Sequence, residues 1–222
     1  MGYKFDFGVI FDNFGELLYG CLLTLELSVI AMAIAVLAAI LAVLAARSRP
    51  RMFGYPVQAF VEIVRNTPFL VQIFFIFFGL PAIGIRFDPN VAAIIALAIN
   101  GCAYAIEIIR GGVEAVARGQ IEAGYALGLH PFQVFRYVIL RPALRTVYPA
   151  LTSQFILLML TSSIASSITA NELTHVAAEI EAVTFRSFEV YFVATILYGV
   201  MSLLLSVAFN TIYKLAIAYP SR

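Results

Sequence analysis

Five long apolar runs decide what this chain can become: roughly 18–46, 55–79, 90–109, 143–168 and 190–216. An α-helix rises about 1.5 Å per residue, so about 20 mostly apolar residues cross the hydrocarbon layer of a bilayer. Each run reaches that length. A backbone surrounded by lipid must satisfy its own polar groups, which makes a helix the predicted form of every run. With 62% of the 222 residues hydrophobic and 12% charged, and a mean hydropathy of +0.95, too few polar side chains remain to cover a water-soluble domain. The expectation is an all-α integral membrane protein with five transmembrane helices. No repeat, heptad array or Pro/Gly/Ser-rich linker divides it, so one membrane domain spans 1–222.

The few charges are informative by position. Arg47, Arg49 and Arg51 follow the first run, and Arg118, Arg136, Arg141 and Arg145 lie between the third and fourth. Lys214 and Arg222 close the chain, whereas only Lys4, Arg86 and Arg186 fall on the opposite side. By the positive-inside rule the first group is cytoplasmic, which puts the N-terminus outside and the C-terminus inside. The acidic segment with Glu172, Glu179, Glu181 and Glu189 then also lies outside. Basic and acidic residues nearly cancel, and no charge excess points to nucleic acid. The first run is too long for a signal-peptide core and is preceded by Asp6, Asp12 and Glu16, so it reads as a retained anchor.

Small residues recur at helical spacing in the first run: Thr24, Ser28, Ala31, Ala35, Ala38, Ala42 and Ala45. Such a seam lets helix backbones approach closely. Gly199, Ser202, Ser206 and Asn210 repeat the device in the last run and are predicted to serve helix packing. Cys21 and Cys102 sit inside apolar runs and read as small packing residues rather than a disulfide or metal site.

The longest segment between spans, about 111–142, contains QIEAGYALGLHPFQVFRYVIL. It is too polar to span and too apolar for a solvated loop. Glu122, Ala123 and Ala126 favour a helix, Gly128 permits the turn that ends it, and Pro131 suits the start of a second short helix. Phe132, Phe135 and Val138 would give that second helix an apolar face at the membrane boundary.

At this point the sequence resembles the permease subunits of ATP-binding-cassette importers. Their cytoplasmic loop carries Glu-Ala-Ala, three residues, Gly, nine residues, then Ile-x-Leu-Pro, matched here by Glu122, Ala123, Gly124, Gly128, Val138 and Leu140. The closer resemblance is to the polar amino acid branch, through VRNTPFLVQIFFIFFGLP at 64–81 and LAINGCAYAIEIIRGGVEAVARGQIEAGYALGL at 97–129. Two motif positions depart, Gly124 for Ala and Arg141 for Pro, with Pro142 one place later. In the fourth run the branch's Lys-Asp-Thr-Ser-Leu is replaced by Met159, Leu160, Thr161, Ser162 and Ser163. The resemblance implies a coupling-helix loop, with Glu122, Ala123, Gly124 and Gly128 docking on a dimeric ATPase. It also implies a second permease subunit, identical or related, a periplasmic substrate-binding protein, and a place in the bacterial inner membrane.

The chain has no glycine-rich loop ending in Gly-Lys-Ser or Gly-Lys-Thr, so ATP and Mg are expected on the partner and no cofactor here. Charges at membrane depth are costly and usually face the bundle interior. Gln58, Glu62, Arg65, Phe69 and Gln72 fall on one face if the second run is a single helix. Asn100, Tyr104 and Glu107 align at i, i+4 and i+7 on the third. These two strips, with Thr161 and Ser162 on the fourth run, are the candidate substrate or pore lining. The plainer reading makes Glu62 with Arg65, and Glu107 with Arg110, structural pairs. Two rival functions fit less well. An intramembrane serine hydrolase lacks a histidine at membrane depth, since His130 and His175 both lie in connecting segments. A self-sufficient channel or secondary transporter would not need the docking loop.

Overall fold

A computed structural model describes residues 4–217, leaving Arg222 outside the described residues. Among the described residues every regular element is helical. They are α1 (Gly8–Asp12), α2 (Phe14–Ser48), α3 (Pro50–Arg65), α4 (Phe69–Ile83), α5 (Pro89–Glu114), α6 (Arg118–Ala126), α7 (Pro131–Ile168), α8 (Leu173–Thr184) and α9 (Ser187–Ile217). Helices α2, α5, α7 and α9 are each long and apolar enough to cross a membrane, and the bent pair α3–α4 passes the same test when its halves are taken together, which gives up to five crossings. The predicted runs correspond to these five units, each of them extended at one or both ends.

The seam on α2 packs as its composition requires. Thr24, Ser28, Ala31 and Ala35 are buried, and Ala35, Ala39 and Val43 close on Cys102, Ala105 and Ile106 of α5. With no side chain at Gly101, α5 can press against Ala35 on one side and Leu158 of α7 on the other. Gly112 sits against Val147 and the Ala143 carbonyl of α7. Close backbone approach of this kind replaces the hydrophobic drive that lipid does not supply. Cys21 and Cys102 are free, buried and in separate cores, Cys21 beside α8 and α9, Cys102 between α2 and α3.

The second run is not one helix. It breaks between Arg65 and Phe69, and the two halves meet at 105°. Pro68 has no N–H to donate and disfavours a helical conformation for the residue before it. Its own backbone is extended, with φ −63° and ψ 135°. The expected continuous face from Gln58 to Gln72 therefore does not exist as such. The α3 half packs Val61 against α2 and α5, and the α4 half packs Ile73 and Ile76 against Ala92, Ala93 and Ala96.

Three further features depart from expectation. The second helix of the loop is not short, because α7 runs without interruption from Pro131 through the fourth span. Its packed face carries Val134 and Val138, while Phe132 and Phe135 are exposed. The acidic segment contains a helix, α8, whose Leu173, Ala177 and Ile180 join Leu17 and Cys21 of α2. On α9 the buried residues are Glu189, Val190, Ala194 and Met201. The small-residue face predicted to pack is only partly covered: Ser202 and Ser206 are half-buried, whereas a methyl on Gly199 would meet nothing within 4 Å. Ser206 and Asn210 there line a groove of about 280 Å³ with Tyr148, Thr152 and Ser153 of α7.

Where they meet, α8 and α9 are tied down by buried carboxylates. Glu172 caps α8, accepting from the N–H groups of Thr174 at 2.9 Å and His175 at 2.7 Å and from the Tyr198 hydroxyl. Burial pushes the Glu172 carboxyl above the usual range, and those three donors act against the rise. Glu189 accepts from the Asp6 N–H at 2.8 Å, and Arg186 donates to the Lys4 carbonyl at 2.8 Å, pinning the N-terminal segment to the start of α9.

Candidate functional site

The break in the second span builds the centre of the site. Where the helix stops at Arg65, carbonyls that would have accepted from residues four positions later are freed. Side chains take them up. The Thr67 hydroxyl donates to the Ile63 carbonyl at 2.8 Å, and the Asn66 side chain adds a bond of 2.8 Å to the Glu62 carbonyl, which already accepts the Asn66 N–H at 3.1 Å. Gln72, one turn into α4, donates its amide to the Val64 carbonyl at 2.7 Å, the Thr67 hydroxyl oxygen at 2.8 Å and the Thr67 carbonyl at 3.1 Å. Its own oxygen accepts from Asn100 of α5 at 3.2 Å. Gln72 and Asn100, predicted on separate strips, are thus one unit that closes the break.

A turn further along α5, the charged strip is also assembled. Arg65 reaches Glu107 at 3.4 Å, and its guanidinium lies 5.3 Å from the centre of the Tyr104 ring, a cation–π arrangement. Glu107 is held more tightly by Arg110, at 2.9 Å, and Arg110 reaches Glu114 at 3.5 Å. The predicted Glu107–Arg110 pair forms, whereas Glu62 bonds Asn66 at 3.0 Å rather than Arg65. Glu62, Glu107, Arg110 and Gln58 share a cleft of about 210 Å³ between α3 and α5. Two carboxylates share the cleft with one guanidinium, and about half of the Arg110 side chain remains exposed.

Thr161 and Ser162 differ from the rest. The Thr161 hydroxyl donates to the Leu157 carbonyl at 2.8 Å and the Ser162 hydroxyl to the Met159 carbonyl at 2.6 Å. Both bond within their own helix just where it tightens into a 3-10 turn over Ser162–Ile168. Ser162 is fully buried, so within this protomer it lines no opening, and the missing charges at Met159 and Leu160 are not replaced by an uncommitted hydroxyl at Ser162. Thr67 is a polar group of the site that the strip reading missed. Its signal was its place before Pro68, where a hydroxyl commonly replaces lost backbone donors.

The loop unit lies apart from the cleft. Helix α6 ends in a Schellman turn: the Leu129 N–H bonds the Gly124 carbonyl at 3.2 Å and the Gly128 N–H bonds the Tyr125 carbonyl at 2.9 Å. Gly128 has φ +76°, which a side chain would strain. His130 then caps α7, its N–H donating to Gln133 at 2.8 Å. Gly124 is buried, and a methyl there would come within 3.3 Å of Val138 and 3.4 Å of Val134. The departure from Ala therefore allows α6 to sit closer to α7. Glu122 and Ala123 are exposed, as are Tyr125 and Leu127, at 51% and 80%. The tip of α6 thus leaves apolar side chains uncovered.

Comparison with known proteins places this architecture. The family model described as "binding-protein-dependent transport system inner membrane component" matches residues 35–217. The glutamine transport system permease protein GlnP of Escherichia coli (strain K12) is 36% identical over 205 residues, covering 91% of this chain and 94% of that protein. The L-cystine transport system permease protein TcyB of Bacillus subtilis (strain 168) is 34% identical over 217 residues, covering 96% and 92%. A crystal structure described as an amino acid ABC transporter with histidines superposes with a TM-score of 0.90 at 34% identity, over 96% of this chain and 99% of that one. The match runs through the seam of α2, the broken span, the α6 loop and α9, and this chain belongs to the binding-protein-dependent transport system inner membrane component family.

Proposed function

We propose that this chain is the pore-forming permease subunit of an ATP-binding-cassette importer that moves a polar amino acid or a derivative across the bacterial inner membrane. The observation that carries the reading is the pairing of a broken, polar-lined span with a rigid, glycine-terminated helix whose apolar tip is uncovered. ATP and Mg act on a separate ATPase dimer, and α6, from Glu122 through the Gly128 turn, is the element that meets it. A second permease, identical or related, completes the pore, and a periplasmic binding protein delivers the solute. The N-terminus lies outside and the C-terminus inside. Closure of the ATPases shifts the permease between inward and outward access, which requires that ATP bind the two states with different affinity.

The relatives' names speak of glutamine, cystine and histidines, all α-amino acids, and a zwitterion suits the polar groups around the break and along α5. Its carboxylate meets Arg65 and its ammonium meets the acceptors of the Asn100 strip. Thr161 contributes only by giving up its bond to Leu157. The test is ATP hydrolysis by the complex with its ATPase, reconstituted in liposomes with the binding protein and screened over the twenty L-amino acids. Stimulation confined to one or a few polar amino acids is the expected result. Hydrolysis indifferent to all of them, or solute flux without ATP, would sink the reading.

A further inference from the structure

The hydrogen bonds at the break have a fixed direction, and that direction reaches Asn100 on α5. The Ile63 and Val64 carbonyls can only accept. The Thr67 hydroxyl gives its hydrogen to Ile63, so toward Gln72 it offers only its oxygen. Gln72 therefore faces three acceptors, the Val64 carbonyl, the Thr67 hydroxyl oxygen and the Thr67 carbonyl, at 2.7, 2.8 and 3.1 Å. Only the amide nitrogen can donate to them, its two hydrogens shared among the three, and the oxygen of Gln72 is forced the other way, toward Asn100. Asn100 must answer an acceptor with its own nitrogen, at 3.2 Å. Its carbonyl oxygen is left with no protein partner among the described residues and is not enclosed.

We propose that Gln72 is a positioning residue: by satisfying the freed carbonyls of the broken span it sets the amide of Asn100 with its oxygen unpartnered, so that Asn100 selects a hydrogen-bond donor, the α-ammonium of the solute. The neighbouring carboxylates cannot replace it. Glu107 is already held by Arg65 and Arg110, and Glu62 by Asn66. Arg65, stacked on Tyr104 and only loosely paired, supplies the complementary donors for the carboxylate. The two ends of an amino acid are thus distinguished by a polarity that begins in the backbone at Pro68. The inference rests on the reading that an amino acid passes this cleft.

The test is a double-mutant cycle on the reconstituted importer, reading KM for uptake of whichever L-amino acid the unmodified complex takes up fastest. Gln72→Met keeps length but frees Asn100 to turn, and is expected to raise KM about tenfold, the size of a lost bond to a charged group. Asn100→Asp alone places a carboxylate against the Gln72 oxygen and is expected to be as harmful. Combined, the two changes should restore much of the loss, because Asp presents an acceptor in either orientation and no longer opposes Gln72. Basal ATP hydrolysis checks that each complex is intact. A double variant no better than Gln72→Met overturns the inference and leaves Gln72 a brace of the break. If Asn100→Ala leaves KM unchanged, the underlying site reading fails instead. Should Gln72→Met not assemble, Asn100→Asp with unaltered KM would overturn the inference by itself.

Discussion

Adjacent glycines of α5 show how closely position governs a residue's cost. A methyl on Gly112 would collide with Val147 and press on the Ala143 carbonyl, whereas one on Gly111 meets nothing within 4 Å. Gly112→Ala is therefore expected to lower stability by about 1–3 kcal/mol through overpacking. Gly111→Ala should be neutral or gain up to about 1 kcal/mol from helix propensity. Thermal midpoints of the two variants in one detergent measure the contrast, and equal midpoints would refute the packing at α7. Glu172 is a second case. Its folded pKa is raised, chiefly by burial, so its contribution to stability is full below the ordinary value of 4.5 and is lost as pH rises through the folded value. Glu172→Gln, which still accepts from the Thr174 and His175 N–H groups, should flatten that dependence. Midpoints measured from about pH 5 to pH 8 check it: the unmodified protein should fall relative to the variant as pH rises.

At the scale of elements, the sequence made the long helices and the glycine turn legible but not the broken span or α8. A periodic stripe is a statement about one helix axis. Pro68 divides that axis, so Glu62 and Arg65 belong to one direction and Gln72 to another, and Gln72 meets Asn100 for a reason no wheel displays. Helix α8 was hidden because its charges read as an outer loop, although Leu173, Ala177 and Ile180 stand at i, i+4 and i+7. Gly20 of α2 lets the capped start of α8 lie close, since a methyl there would be 3.0 Å from the Leu173 backbone and 3.3 Å from Val176. Gly20→Ala is expected to push α8 outward and to speed hydrogen exchange of amides 173–184, with 131–168 unchanged. Equal protection in both segments would show that α8 is anchored by Glu172 alone.

For the whole molecule, orientation follows from the basic residues flanking α2, α6 and α7. Single cysteines placed at 49 or 136 in intact cells should resist an impermeant thiol reagent, while those at 86 or 183 should react. Reversed labelling would invert the permease. Of the candidate site, the composition of the polar strip was legible in the sequence. The division of labour within it was not, because that depends on which carbonyls the break sets free. The small-residue face of α9 is half-covered for a related reason: a seam at helical spacing says that something packs there, not which part of it one protomer covers.

The central claim is that ATP hydrolysis elsewhere drives this pore through α6. Gly128→Val tests it most directly, since φ +76° is closed to a β-branched side chain while the space around the position is open, so the change acts on the turn and not on packing. The account predicts normal insertion and expression together with loss of both ATP-driven amino acid uptake and solute-stimulated ATP hydrolysis in reconstituted liposomes. Uptake at the unmodified rate by Gly128→Val would contradict it.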